Sequence, residues 1–338
     1  MATIEQAKQA AVAEFLSGGQ PIAFRALAAS TKPTHNLTGI GRGPKIVNGH
    51  ETAEECVRFY VERKIPSTAM AAGDLLPKVY QGVPTDVIET GRFIAGAPGS
   101  TGVAPAAALP GPIRGRIRPT QPGCSVGFAF PGNPGMVMAG TYGAVVKAGG
   151  VIHILSNNHV LADENNLPLG SPIFQPGLLD GGNSVTDKVA ELTRFITIST
   201  TQMNHVDAAI ARILVKADAS AVLLPNVGKL KSASPIAATK NMRVEKVGRT
   251  TGFTLGEVFD IHATVRVGYS MGTATFDEQV LVRGRNGGSF SAAGDSGSLI
   301  VDSASRRATA LLFAGSDSFT IGNKMNVVLA ALNVTLVI

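Results

Sequence analysis

From about residue 120 onward the chain alternates short apolar runs with clusters of glycine, asparagine, aspartate and proline. The runs are Gly143 to Lys147, Val151 to Leu155, Ala208 to Val215, Val244 to Val247, Val258 to Val267, Gln279 to Arg283, Leu299 to Val301 and Thr309 to Phe313. Apolar runs this short, closed by turn residues at close spacing, predict strands, and this many of them predict a β-barrel or sandwich. Val327 to Leu332, after the candidate cap Asn326, reads instead as a terminal helix. At the other end, Ile4, Ala7, Ala11 and Phe15 recur on one helical face, Thr3 and Gln6 have capping-box spacing, and Gly18-Gly19 stops the pattern. Leu37 to Val47, Cys56 to Arg63 and Val79 to Ile88 follow as three further strands.

This pattern divides the chain into a small α/β unit over 1–92, a linker over 93–118 and a β-rich domain over 119–338. The uncharged run from Phe93 to Ile113 is long enough to span a bilayer, but Pro98, Pro105, Pro110 and Pro112 alternate there with Gly96, Gly99, Gly102 and Gly111. Such a segment is a linker, not a membrane helix. Hydrophobic residues make up 44% of the 338, and charged residues only 16%, which excludes a disordered chain.

Charge and cysteine narrow the setting. The net charge of +6 is spread out; its densest cluster, Arg114, Arg116 and Arg118, lies among glycine and proline without interleaved aromatics. A solvated linker explains that cluster, so no nucleic-acid partner is expected. Two cysteines, Cys56 and Cys124, are too few for a disulfide framework, and Glu5, Lys8 and Glu14 interrupt any apolar export segment. The expected location is the cytoplasm, without membrane association.

Three segments carry chemistry: Ser156-Asn157-Asn158-His159, Asp207-Ala208-Ala209-Ile210 and Gly294-Asp295-Ser296-Gly297-Ser298. A serine hydroxyl becomes a useful nucleophile at neutral pH when an imidazole takes its proton and a buried carboxylate fixes that imidazole's tautomer. Glycines flanking the serine permit a tight turn that aims two backbone N–H groups into one concavity. His159, Asp207 and Ser296, in that chain order and with β-rich sequence between them, are therefore the candidate catalytic set. No cofactor or metal is needed.

With Gly248-Arg249-Thr250-Thr251-Gly252-Phe253 added, these motifs resemble the trypsin-like serine peptidases of the chymotrypsin fold, over roughly Pro119 to Leu332. The Thr-Thr-Gly segment is similar to that of bacterial members. The combination with an N-terminal α/β extension resembles an intracellular group that includes the plant narrow-leaf type. The resemblance implies a mainly β fold, a double six-stranded β-barrel with the small α/β domain in front. It also implies a serine endopeptidase acting on protein or peptide substrates, with the N–H groups of Gly294 and Ser296 as oxyanion hole.

Departures from the family pattern add expectations. Val160, Ala292, Glu245 and Leu255 stand where secreted relatives carry cysteines. The Arg-Ile-Val-Gly-Gly activation site is missing, so Asp295 must find a partner other than a new N-terminal amine. Phe290 stands at the family's base of the primary specificity pocket, where a carboxylate would select Arg or Lys; cutting after uncharged residues is expected instead. Phe313, Ala314 and Gly315 resemble the strand that pairs with substrate backbone, but Phe313 replaces a serine that usually bonds the triad aspartate.

Competing readings are fewer. His153, His159, His205 and Asp207 could be metal ligands, yet no further ligand cluster accompanies them. Gly39-Ile40-Gly41-Arg42-Gly43 has the glycines of a dinucleotide loop but runs into Pro44 and strand-like residues, so a strand with a glycine-rich turn is the better reading. The alternative from another class is a catalytically silent trypsin-like module that binds peptides or protein partners. For the N-terminal unit, homo-oligomer formation, a regulatory protein partner and a stabilising pro-segment stay open.

Overall fold

The capping box forms as its spacing predicts: the Gln6 N–H donates to Thr3 Oγ1 at 3.2 Å, and the Thr3 N–H donates to Gln6 Oε1 at 2.9 Å. It starts helix α1 (Ile4–Ala11), which continues as a π-helical turn through Leu16. The structure, a computed structural model, describes residues 2–16, 36–71, 74–96, 113–133, 136–223, 226–285 and 287–338. Most of the expected linker, including Pro98 to Pro112, lies outside the described residues. Ala7, Ala11, Val12 and Leu16 bury the apolar face of the helix against Leu37, Ile40, Val57 and Phe59. Aliphatic side chains of the larger kind contribute on the order of 1.5–3 kcal/mol each when fully buried. Lys8, with no side-chain exposure, reaches Asp277 Oδ1 at 3.0 Å and Glu278 Oε1 at 3.4 Å.

The N-terminal strands are β1 (Leu37–Val47), β2 (His50–Val61), β3 (Val79–Tyr80), β4 (Val83–Glu89) and β5 (Phe93–Ile94). Asn48 and Gly49, both at positive φ, close the β1–β2 hairpin, as a two-residue turn matched to strand twist requires. β4 lies parallel to β2 and antiparallel to β3. β1 pairs antiparallel with the long strand Gly252–Tyr269, Gly39 opposite Val265. The glycines of β1 serve this close approach: a Cβ on Gly41 would lie 2.1 Å from Asp260 Oδ2. The N-terminal strands thus prolong, edge to edge, the sheet of the second barrel.

That barrel comprises Arg243–Gly248, Gly252–Tyr269, Gly272–Gly284, Leu299–Asp302, Ala308–Gly315 and Thr320–Lys324, each bonded to its neighbours and closed by pairing of the two longest strands. The first barrel sheet orders Pro172–Phe174, Lys188–Phe195, Ala209–Ile213, Val151–Ser156, Ala144–Ala148 and Thr335–Leu336. Its interior is filled by Val126, Tyr142, Val145, Ile154, Leu192 and Ala211 among others. The helix Met325–Leu332 returns the chain from the second barrel to the first, ending at Asn333 in the left-handed region. The fold is mainly β, with two six-stranded barrel sheets and a small helix-bearing N-terminal extension.

Among the described residues no helix is long and apolar enough to cross a membrane. Cys56 and Cys124 are buried and unpaired, and burial, the largest influence on each, pushes both thiols up to about 12. Arg114, Arg116 and Arg118 are engaged within the protein: Arg114 bonds the Arg249 carbonyl, Arg116 pairs with Asp187, and Arg118 binds the Gln175 side chain and carbonyl.

Candidate active site

Strand register assembles the first half of the site. Ala209 stands opposite Ser156 in the antiparallel pair Val151–Ser156 and Ala209–Ile213. Continuing that ladder outward places Asp207 beside the short helical turn Asn158–Leu161, which carries His159. The consequence is direct: Asp207 Oδ1 accepts from the Asn158 N–H at 2.7 Å and the His159 N–H at 3.3 Å, while Oδ2 lies 2.5 Å from His159 Nδ1. Asp207 has no exposure and His159 4%, so the imidazole is held in one tautomer with Nε2 free to act.

A fourth donor completes the carboxylate. Tyr269, the last residue of the strand Gly252–Tyr269, donates its hydroxyl to Asp207 Oδ2 at 2.9 Å. This tyrosine supplies the bond that replacement of the expected serine by Phe313 removes. The backbone around Asp207 is fixed as well, by Asn323 Oδ1 on its N–H at 3.0 Å and by the Asn157 side chain on its carbonyl at 2.8 Å. Sequence inspection gives no signal for Tyr269, because its role depends on where an 18-residue strand ends.

Ser296 sits on a turn that only glycine can flank. Gly294 and Gly297 both have φ near +92°, and a Cβ on Gly297 would lie 2.1 Å from Ser156 Oγ. The first barrel holds the loop: the Thr141 N–H donates to the Ser296 carbonyl at 2.8 Å, and Thr141 Oγ1 donates to the Gly294 carbonyl at 3.0 Å. Among the described residues the N–H groups of Gly294 and Ser296 have no acceptor, as an oxyanion-binding pair requires.

Asp295 finds the partner that the missing N-terminal amine leaves open. Lys246 Nζ lies 3.1 Å from Asp295 Oδ2, and neither side chain has any exposure. Thr251 Oγ1 and the Ala292 N–H also donate to Oδ2, at 2.6 and 3.0 Å, and the Thr250 and Thr251 N–H groups donate to Oδ1 at 2.8 and 3.1 Å. Burial alone would raise the Asp295 carboxyl; the Lys246 ammonium and these donors outweigh it and hold the carboxyl below its ordinary value. The strand Arg243–Gly248, exposed at Arg243 and buried from Val244 on, carries this lysine, and its pairing across 49 residues has no local signal in the sequence. The adjacent Arg249 is engaged elsewhere, in a bidentate pair with Asp180 at 2.6 Å.

Ser296 opens onto a cleft of about 800 Å³ whose lining includes Ser289, Ser291, Ala293, Ala314, Gly315 and Asp317. Phe290 is not among its lining residues. Its ring, 2% exposed, packs with Val258, Val282 and Ile300 in the second barrel, where a Cβ on Gly256 would touch it at 2.7 Å. The side chain of Phe313 is likewise interior, packed on Phe276, while its carbonyl faces Ser296 Oγ at 3.5 Å. His159 Nε2 has no hydrogen-bond partner among the described residues. His153 Nδ1 contacts the Val151 carbonyl, and no group of three or more metal-binding side chains gathers among the described residues.

No protein-family model matches the chain, and no curated protein matches it. Solved structures do. A glutamic-acid-specific serine protease that uses a histidine triad in substrate binding matches with TM-score 0.46 at 20% identity, over 64% of this chain and 100% of its own. Thermobifida fusca Protease A matches with TM-score 0.46 at 17% identity, over 64% of this chain and 99% of its own. A Cellulomonas bogoriensis chymotrypsin matches with TM-score 0.40 at 18% identity, over 58% of this chain and 90% of its own.

Proposed function

We propose that the protein is a serine endopeptidase that hydrolyses protein or peptide substrates through an acyl-enzyme. The observation that carries this reading is the 2.5 Å contact between His159 Nδ1 and buried Asp207, together with the Ser296 turn whose Gly294 and Ser296 N–H groups have no acceptor among the described residues. Ser296 Oγ turns from the Phe313 carbonyl towards His159 Nε2 and attacks the scissile carbonyl, passing its proton to Nε2. The N–H groups of Gly294 and Ser296 hold the resulting oxyanion, at a benefit of about 3–4 kcal/mol per donor by the usual mutational measure. His159 then gives its proton to the departing amine, and a water activated by the same imidazole releases the acyl group.

The cleft favours uncharged residues before the cut. Small or hydroxyl-bearing side chains line it together with Glu62, Arg92, Arg114 and Asp317; Glu62 is paired with Arg92 at 2.7 Å, Asp317 is exposed, and Phe290 contributes no wall. With Glu62 already held by Arg92, a cation buried there would find no free counter-charge, at a cost of several kcal/mol. The two buried, unpaired thiols suit a reducing compartment such as the cytoplasm. Turnover of casein, with mass-spectrometric mapping of the cut sites, tests the whole reading. Ser296→Ala should lower turnover by roughly 10⁶, and cuts should follow small or medium apolar residues. Undiminished turnover in that variant would remove the assignment, and a dominant Arg or Lys before the cut would overturn the specificity.

A further inference from the structure

The strand edge at Gly315, which lines the same cleft as Ser296, is already taken by the chain itself. β5 pairs antiparallel with the strand Ala308–Gly315, with Ile94 opposite Gly315, and parallel with the end of Gly252–Tyr269. The Ala95 N–H donates to the Gly268 carbonyl at 3.0 Å. Two residues beyond Ile94, Gly96 lies over the imidazole: a Cβ there would sit 3.0 Å from His159 Cδ2 and 3.3 Å from Nε2. Ile94 and Gly96 line the same cleft as Ser296. Phe93 anchors the segment, its ring without exposure among Val267, Phe276 and Phe313.

An extended peptide docks on a strand edge through main-chain N–H and C=O groups, and each edge takes one partner at a time; Gly315 pairs with Thr320 on one edge and with Ile94 on the other. The edge of Gly315 that holds Ile94 cannot take an incoming substrate at the same time. From this we infer that Ile94–Gly96 is a resident strand that keeps the acyl side of the cleft closed, so that substrate binds only after the segment lifts away. The inference rests on the peptidase reading and adds its regulation. The segment also leaves the extended path of a bound strand: Gly96 has φ +35°, so the chain turns beside the His159 ring.

Occupancy by an internal competitor lowers the apparent affinity for substrate by the fraction of molecules in the open state and leaves the chemical step alone. Ala95→Pro deletes the N–H given to Gly268 and stands outside the catalytic machinery. It should lower KM for an extended peptide substrate on the order of tenfold or more with kcat within about twofold. Unchanged or raised KM, in a variant with parental circular dichroism, would overturn the inference. A second measurement needs no variant. Hydrogen exchange of the 94–96 amides in the full-length protein should accelerate when a peptide aldehyde spanning the acyl side is bound, and stay slow when Ser296 carries only a small fluorophosphonate. Continued protection with the peptide aldehyde bound would show that both fit together and would refute the resident-strand assignment. If neither reagent modifies Ser296, the peptidase reading fails first and the inference falls with it.

Discussion

Tyr269 and Lys246 show how single side chains replace parts that a family pattern leads one to expect. Tyr269 gives Asp207 its fourth donor, so removing only the hydroxyl should loosen the carboxylate that holds His159. Tyr269→Phe should lose about 1–2 kcal/mol of transition-state stabilisation, close to tenfold in kcat, with KM little changed. Steady-state kinetics on one peptide substrate checks this, and an equal loss in KM alone would point to a packing role instead. Lys246 neutralises Asp295 beneath the Gly294–Ser298 loop. Lys246→Met leaves an unpaired buried carboxylate, a loss of about 3–5 kcal/mol seen as a lowered Tm, and Asp295→Asn added to it should restore part of that stability. The two substitutions should not be additive, because each acts on the same buried contact.

At the scale of elements, the attachment of α1 is electrostatic as well as apolar. Lys8 reaches Asp277 and Glu278, and Glu278 also meets Lys324 Nζ at 2.7 Å and His262 Nδ1 at 2.8 Å. Burial acts to raise the Glu278 carboxyl, but Lys324, His262 and Lys8 outweigh it and bring it down from 4.5 to about 2. A carboxyl depressed in the folded state contributes stability above its unfolded value and loses it as pH falls through the folded value. The contribution should therefore be complete above about pH 4.5 and fade towards pH 2. Glu278→Gln should flatten the acid limb of stability across that window, measured by urea unfolding at each pH; identical slopes for parent and variant would contradict the assignment. Solvent screens this half-exposed group, so the difference should shrink with added salt.

The same scale shows why some elements were legible in the sequence. β1 spans Leu37–Val47 as predicted, because its apolar run ends at an Asn-Gly turn. Lys188–Phe195 escaped detection because Lys188, Glu191 and Arg194 interrupt its apolar residues, and Thr320–Lys324 because Gly322 and Asn323 read as a turn. Asn323 is nonetheless buried, held by Gln279 and the Asp207 N–H, and that long-range bonding is invisible to a local pattern. The C-terminal helix begins at Met325 after Lys324, so Asn326, expected as its cap, lies inside it.

For the whole molecule, local motifs marked His159, Asp207 and Ser296, and strand register explains how the first two meet. What the sequence could not convey was long-range: the edge-on union of the N-terminal strands with the second barrel, the Lys246–Asp295 pair, and the seating of β5 beside Gly315. Phe290 and Phe313 were legible as positions but not as orientations, since both rings turn inward to the barrel core. The proposed mechanism requires nucleophile, base and oxyanion hole to work together, and a fluorophosphonate would engage all three in one covalent step. Intact-mass analysis of the full-length protein after incubation with that reagent should show a single adduct, mapped to Ser296 and lost in both Ser296→Ala and His159→Ala. An unmodified parent chain, or an adduct that persists in Ser296→Ala, would contradict the assignment.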